Sequence, residues 1–191
     1  MEELLVLVDR NDVQIGFDTK MQVHRRGALH RAFSILVFDR HSRLLLQRRA
    51  QEKYHSAGLW SNSCCGHPRH GEDPDAAAHR RLQEEMGFDC GLREVSTLTY
   101  WATVSDELIE HEYDHIYVGV FEGEPQIDPR EVLDWKWTEP QDVLAWMSER
   151  PGDFTVWFKA MLAQIEPAGL AQWAALAQEP CAERVASCMR A

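Results

Sequence analysis

Residues 66–88 read GHPRHGEDPDAAAHRRLQEEMGF, and the second half of this stretch carries its own helix punctuation. Asp73 is a residue type that caps helix N-termini, because its carboxylate accepts from the first unpaired backbone N–H groups. Pro74 follows at the first helical position, where the missing N–H costs nothing and the fixed φ suits a helix. Gly87 marks the other end, since glycine turns left-handed there without a Cβ penalty. Between them Ala78, Leu82 and Met86 share one stripe, which leaves Arg81, Glu84 and Glu85 toward its edges or the opposite face. The stretch predicts one helix packed by a single apolar stripe.

Outward from this helix the chain alternates strand and helix signals. ELLVLVD (3–9) is a short apolar run ended by Asn11-Asp12, as in a first strand. RAFSILVFDRHSRLLLQRRA (31–50) reads as two strands around a turn at Asp39–Ser42, the first nearly continuous in apolar residues like a strand covered on both faces. VSTLTYWATV (95–104) and HEYDHIYVGVFEG (111–123) read as a strand pair, the second alternating from Tyr113 to Phe121. VLDWKWTEP (132–140) closes the strand-rich part, and PQDVLAWMSER (140–150) and FTVWFKAMLAQI (154–165) read as helices. The Ala-rich tail from Pro167 reads as helical and carries no chemical motif. The expectation is one α+β domain over 1–191, with its core over about 30–165 and a helical tail over 167–191.

The 191 residues are enough for one domain with a proper core, and 45% hydrophobic residues are ordinary for a globular chain. A net charge of -11 argues against a nucleic-acid partner, which calls for a clustered basic face. It leaves room for an anionic ligand, because a few arginines and a divalent ion make one pocket locally positive. The five cysteines are an odd number at spacings that suggest no disulfide framework. No secretory signal and no apolar stretch of membrane-spanning length is present, so a cytoplasmic protein with reduced thiols and no membrane partner is expected.

Two sets of residues carry chemistry. The first is the glycine-led loop and carboxylate helix, with Gly66, Glu72, Arg80, Leu82, Glu84, Glu85, Gly87 and Phe88 in order. Several carboxylates on one helix after such a loop suit Mg²⁺, an ion usually shared with substrate phosphates. The plain alternative is a solvated helix face with charge pairs one turn apart. The second set is His24, His30, His67, Glu110 and Glu112. Glu110 and Glu112 are two apart, so a strand points both to one face. Imidazole and carboxylate together suit Mn²⁺, Zn²⁺, Fe²⁺ or Mg²⁺ without deciding among them. The remaining histidines, His41, His55, His70, His79, His111 and His115, default to solvent-facing or structural positions.

The first set resembles the Nudix signature, with one departure: Arg81 stands where the signature has glutamate. A guanidinium removes metal-binding capacity and supplies a bidentate phosphate clamp, so the site reads as built to bind a diphosphate without cutting it. HRRGALHRAFSILVF (24–38), LLLQRRAQEKYHSAGLW (44–60), SNSCCGHP (61–68) and YWATVSDELIEHEYDHIY (100–117) occur in the order found in the type I isopentenyl diphosphate isomerases. That resemblance spans about residues 4–160. It implies a Nudix-type mixed β-sheet sandwiched by helices, with an N-terminal strand extension. It implies one divalent ion, Mn²⁺, Zn²⁺ or Mg²⁺, on His24, His30, His67, Glu110 and Glu112, and Mg²⁺ with the diphosphate near Glu85. It further implies Cys65 and Glu112 as the acid–base pair, Tyr100 as their assistant, Lys20, Arg49, Lys53 and Arg81 as diphosphate contacts, and Trp157 facing a carbocation. The implied partner is a small isoprenoid diphosphate, and the expected assembly is a monomer or weak dimer. A Nudix hydrolase of a nucleoside diphosphate derivative explains the helix but neither Arg81 nor the second set. A non-catalytic, metal-stabilised binding module is the other alternative. Cys64 is expected to pack away from Cys65, because neighbours on an extended segment point to opposite sides.

Overall fold

A computed structural model of the chain describes residues 3–53, 55–165 and 168–179. Along the chain run β1 (Leu4–Val8), β2 (Gln14–Thr19), α1 (Lys20–Arg26), β3 (His30–Phe38), β4 (Leu44–Arg49), β5 (Trp60–Ser61), β6 (Cys64–Gly66) and α2 (Pro74–Met86). There follow β7 (Leu92–Ser105), β8 (Leu108–Val120), β9 (Val132–Thr138), α3 (Pro140–Glu149), a single 3₁₀ turn, α4 (Val156–Gln164) and α5 (Gly169–Gln178).

β3 organises the sheet. Its residues 30–38 run parallel to 112–120 of β8, which pairs antiparallel with β7. On its other edge β3 meets β1 at His30, β6 at 33–35 and β4 at Phe38, all antiparallel. β4 continues to β9 and β5. This is a mixed sheet, and the expected near-continuous burial of β3 follows from it, because helices cover both faces. The period-2 geometry of a strand divides the core in two. Phe33, Ile35 and Val37 pack with Ala77, Ala78, Leu82 and Met86 of α2. Leu36 and Phe38 pack with Phe158 and Met161 of α4 and with Leu170 and Trp173 of α5. Cys64 falls in the first cluster and Cys65 packs against the second, as neighbours on an extended segment must.

α2 forms as its punctuation predicts. Asp73 accepts from the backbone N–H groups of Asp75 and Ala76, and Gly87 turns left-handed at φ 74°. A Cβ at Gly87 would lie 2.3 Å from the carbonyl oxygen of Gln126, so the close approach also requires glycine. In one respect the stripe is wider than expected. Glu85 is 5% exposed, because the edge of α2 beyond Leu82 and Met86 lines a cavity, where Arg81 and Gln47 bond to the Glu85 carboxylate. β8 alternates from Leu108 to Ile116, with Glu110, Glu112 and Asp114 inward, and is buried on both faces over Ile116–Gly119. The alternation thus begins earlier than Tyr113, since residues that line an interior with acids rather than apolar side chains were outside the expected pattern.

The tail is helical over Gly169–Gln178; residues 180–191, with Cys181 and Cys188, lie outside the described residues. Among the described residues Cys64, Cys65 and Cys90 are free thiols. No described helix is long and apolar enough to cross a membrane.

Candidate active site

Sheet register brings three distant segments abreast. His30 of β3 stands opposite Glu112 of β8, and Glu112 stands opposite Tyr100 of β7. One step further along β3, β6 pairs Ser34 with Cys65, which brings Cys65 and His67 to the same end of the sheet. α1 supplies His24. This helix has only seven residues and ends at Gly27 in the left-handed conformation. The ring of Trp101 lies where a Gly27 Cβ would be, and His111 Nδ1–H donates to the Gly27 carbonyl at 2.9 Å. The β7–β8 ribbon thereby holds α1, and with it His24 and Lys20, against the sheet.

His24, His30, His67 and Glu110 offer donor atoms that all lie within 4.8 Å of one another. The rings are oriented from behind. His24 Nδ1–H donates to the Lys20 carbonyl at 2.6 Å and His30 Nδ1–H to the Ala28 carbonyl at 2.9 Å. A carbonyl cannot donate, so each Nδ1 carries the proton and each Nε2 turns a lone pair inward, the arrangement that metal-binding histidines use. Glu110 Oε2 lies 3.1 Å from His24 Nε2 and 4.0 Å from His30 Nε2. Glu112 Oε1 lies 3.0 Å from His67 Nε2 and 3.6 Å from His30 Nε2, so a fifth donor is at hand. His30 Nε2 and Glu110 Oε2 are buried and meet no hydrogen-bond geometry. Buried polar atoms left this way are costly unless a ligand takes them up. The donor set, two carboxylates and three imidazoles, fits a divalent cation.

The electrostatics are those of buried, mutually charged side chains. Burial works to lower the pKa of His24, but the Glu110 carboxylate outweighs it and holds the imidazole above its ordinary value. His67 is lowered, by burial first and against the pull of Glu112. Burial would raise Glu112, but His30 and His67 overcome it and hold its carboxyl well below the usual range. Tyr100 donates from its hydroxyl to Glu112 Oε2. Burial and the adjacent carboxylates raise that phenol well above its ordinary value. Burial also pushes the Cys65 thiol up to about 12, with Arg49 opposing.

All the site residues expected from the sequence except His24, His30 and Tyr100 line one cavity of about 940 Å³. Its basic arm is partly neutralised by acids. Arg81 bonds to Glu85, donates to Glu84 at 2.9 Å and lies 3.3 Å from Glu131, while Lys53 pairs with the same Glu131 oxygen. Lys20 pairs with Glu3 at 3.0 Å. Trp157, 5% exposed, donates from Nε1 to Ser61 Oγ at 2.9 Å and presents its face to the Arg49 guanidinium at 4.9 Å.

Two residues of this cavity carry no pattern in the sequence. Glu131 follows Arg130 in a loop and reads there as one more surface charge. His55 was expected at a solvent-facing or structural position. It lines the cavity instead, its side chain 8% exposed, with Nε2 3.5 Å from Glu110 Oε1. Burial, then Arg49, pushes its pKa down to about 3. It lies in an irregular loop, where residue spacing says nothing of direction.

The NUDIX domain model matches residues 28–158. The isopentenyl-diphosphate Delta-isomerase of Serratia proteamaculans is 55% identical over 177 residues, 93% of this chain and 99% of that protein. Isopentenyl-diphosphate Delta-isomerase 2 of Photorhabdus laumondii is 61% identical over 137 residues, 72% of this chain and 77% of that protein. Among solved structures, DR0079 from Deinococcus radiodurans superposes with a TM-score of 0.66 at 18% identity, over 77% of this chain and 90% of that one. The MutT protein from Methanosarcina mazei gives 0.59 at 13% identity, over 79% and 96%. At such identities these two structures speak for the fold alone.

Proposed function

This chain belongs to the isopentenyl-diphosphate Delta-isomerase family of NUDIX-domain proteins, and from that premise we propose that it moves the double bond of isopentenyl diphosphate from C3–C4 to C2–C3. The product is dimethylallyl diphosphate. The observation that carries the reading is that Cys65 and Glu112 open on one cavity with Trp157, Lys20, Arg49, Lys53 and Arg81. A proton must be added at C4 and another removed from C2, so two acid–base groups on one substrate suffice. Cys65 and Glu112 are that pair. Tyr100, kept protonated, holds the Glu112 carboxyl in place through its hydroxyl. The intermediate is a tertiary cation at C3, which needs a dry site and a π face; Trp157 supplies the face.

The diphosphate binds to Lys20, Arg49, Lys53 and Arg81, and Glu85 would hold its Mg²⁺. His24, His30, His67, Glu110 and Glu112 would hold a second divalent ion, Mn²⁺, Zn²⁺ or Mg²⁺, whose charge would tune the acidity of Glu112. The cysteine spacings, which suggest no disulfide framework, favour a reducing, cytoplasmic setting. Arg81 favours isomerisation over hydrolysis of the diphosphate, because it stands where the signature has a glutamate and so removes one of the acids a hydrolase uses to hold metal and activate water. The test is incubation with isopentenyl diphosphate and Mg²⁺ in D₂O. Deuterium in the product methyl group is expected. Its absence refutes protonation at C4, and rapid phosphate release from a nucleotide panel without isomerisation refutes the reading as a whole.

A further inference from the structure

We infer that His55 is a positioning residue that ties the carboxylate of the metal cluster to the aromatic and basic wall of the substrate pocket. The inference rests on the metal-binding reading of that cluster. Glu110 divides its two oxygens: Oε2 faces His24 and His30, at 3.1 and 4.0 Å, and Oε1 faces His55 Nε2 at 3.5 Å. Ser56 Oγ lies 3.3 Å from His55 Nδ1. With the hydroxyl donating there, the ring proton sits on Nε2, the nitrogen 3.5 Å from Glu110 Oε1. The opposite tautomer sets a lone pair against an anionic oxygen, and His55, unlike His24, is not among the donors that converge on a cation site, so the geometry selects the first. A carboxylate that ligates a metal through one oxygen needs its other oxygen held, and loss of such an outer partner typically costs 10–100-fold in metal affinity.

The other side of the ring faces the substrate pocket. His55 meets the Trp157 ring edge-on, with centroids 5.7 Å apart and planes at 89°. Arg49, stacked over the opposite partner in that contact at 4.9 Å, also donates from Nη2 to the His55 carbonyl at 3.4 Å. One residue thus touches the cluster's carboxylate, the π wall and the first basic group of the diphosphate arm. A shift of His55 that improves one of these contacts moves the others, so metal and diphosphate binding are coupled, and by linkage each changes the affinity of the other equally.

The experiment is Co²⁺ titration of the full chain, followed by the d–d absorption of the bound ion, with and without inorganic pyrophosphate. Wild type is compared with His55→Phe, which keeps a ring against Trp157 but deletes the donor, and with His55→Gln, which keeps an N–H donor. Expected are about 10–100-fold weaker Co²⁺ binding in His55→Phe, substantial recovery in His55→Gln, and a pyrophosphate effect on Co²⁺ affinity that is present in wild type and lost in His55→Phe. Wild-type affinity in His55→Phe overturns the inference, as does an equal loss in both variants, which assigns the effect to ring packing. Failure of wild type to bind Co²⁺ overturns the metal reading itself and the inference with it.

Discussion

The burial of His55 gives the metal-free protein a specific acid sensitivity. Its imidazole, ordinarily near 6.5, is pushed down to about 3 by burial and by Arg49. A base with a depressed folded-state value binds its proton more readily in the unfolded chain, so falling pH favours unfolding. The stabilisation from holding it neutral is complete above pH 6.5 and is lost progressively as pH falls toward 3. One proton corresponds to about 1.4 kcal/mol per pH unit, which makes the loss between pH 6.5 and pH 5 roughly 2 kcal/mol. That figure holds for any folded-state value well below 5, so it does not depend on how far the shift extends. His67, lowered by burial, acts in the same direction, and His24, raised by Glu110, acts against it. Comparison with His55→Phe isolates the single group, because phenylalanine takes up no proton and keeps a ring beside Trp157. Urea unfolding in the presence of chelator, across about pH 5 to 7.5, measures both curves. Wild type should lose about 2 kcal/mol more than the variant between pH 6.5 and 5. Parallel curves refute the reasoning, because they mean that His55 takes up its proton as readily folded as unfolded.

Cys65→Ser and Glu112→Gln should each lower kcat about 10²–10⁴-fold while pyrophosphate affinity stays near wild type; a variant that keeps most of its turnover removes that residue from the acid–base pair. Gly87→Ala should cost about 2 kcal/mol or more in urea unfolding, since φ is 74° and the added Cβ meets the Gln126 carbonyl oxygen at 2.3 Å. A cost near zero would mean the helix end relaxes freely. Mn²⁺ at a hundred times its dissociation constant should raise stability by about 2.7 kcal/mol, and His30→Ala should abolish most of that gain; equal gains in both proteins would place the ion elsewhere.

Local chemistry alone determined several features of this molecule. Asp73, Pro74 and Gly87 bound α2 because capping and left-handed closure depend only on neighbouring residues. Glu110 and Glu112 share a face because a strand repeats every two residues, and Cys64 and Cys65 part company for the same reason. What the tertiary structure decided is everything that needs two segments to meet. A seven-residue helix such as α1 is too short to hold by itself; it is clamped by Trp101 and His111 from the β7–β8 ribbon, and only then is His24 aimed at Glu110. The alignment of His30, Glu112 and Tyr100 is a matter of register between strands far apart in the chain. His55 and Glu131 sit in loops, where no periodicity ties residue number to direction, so their places in the cavity come from the packing around them. Residue type and spacing report which groups are available, while burial, and the charge shifts that follow from it, arise only when the segments close over one another.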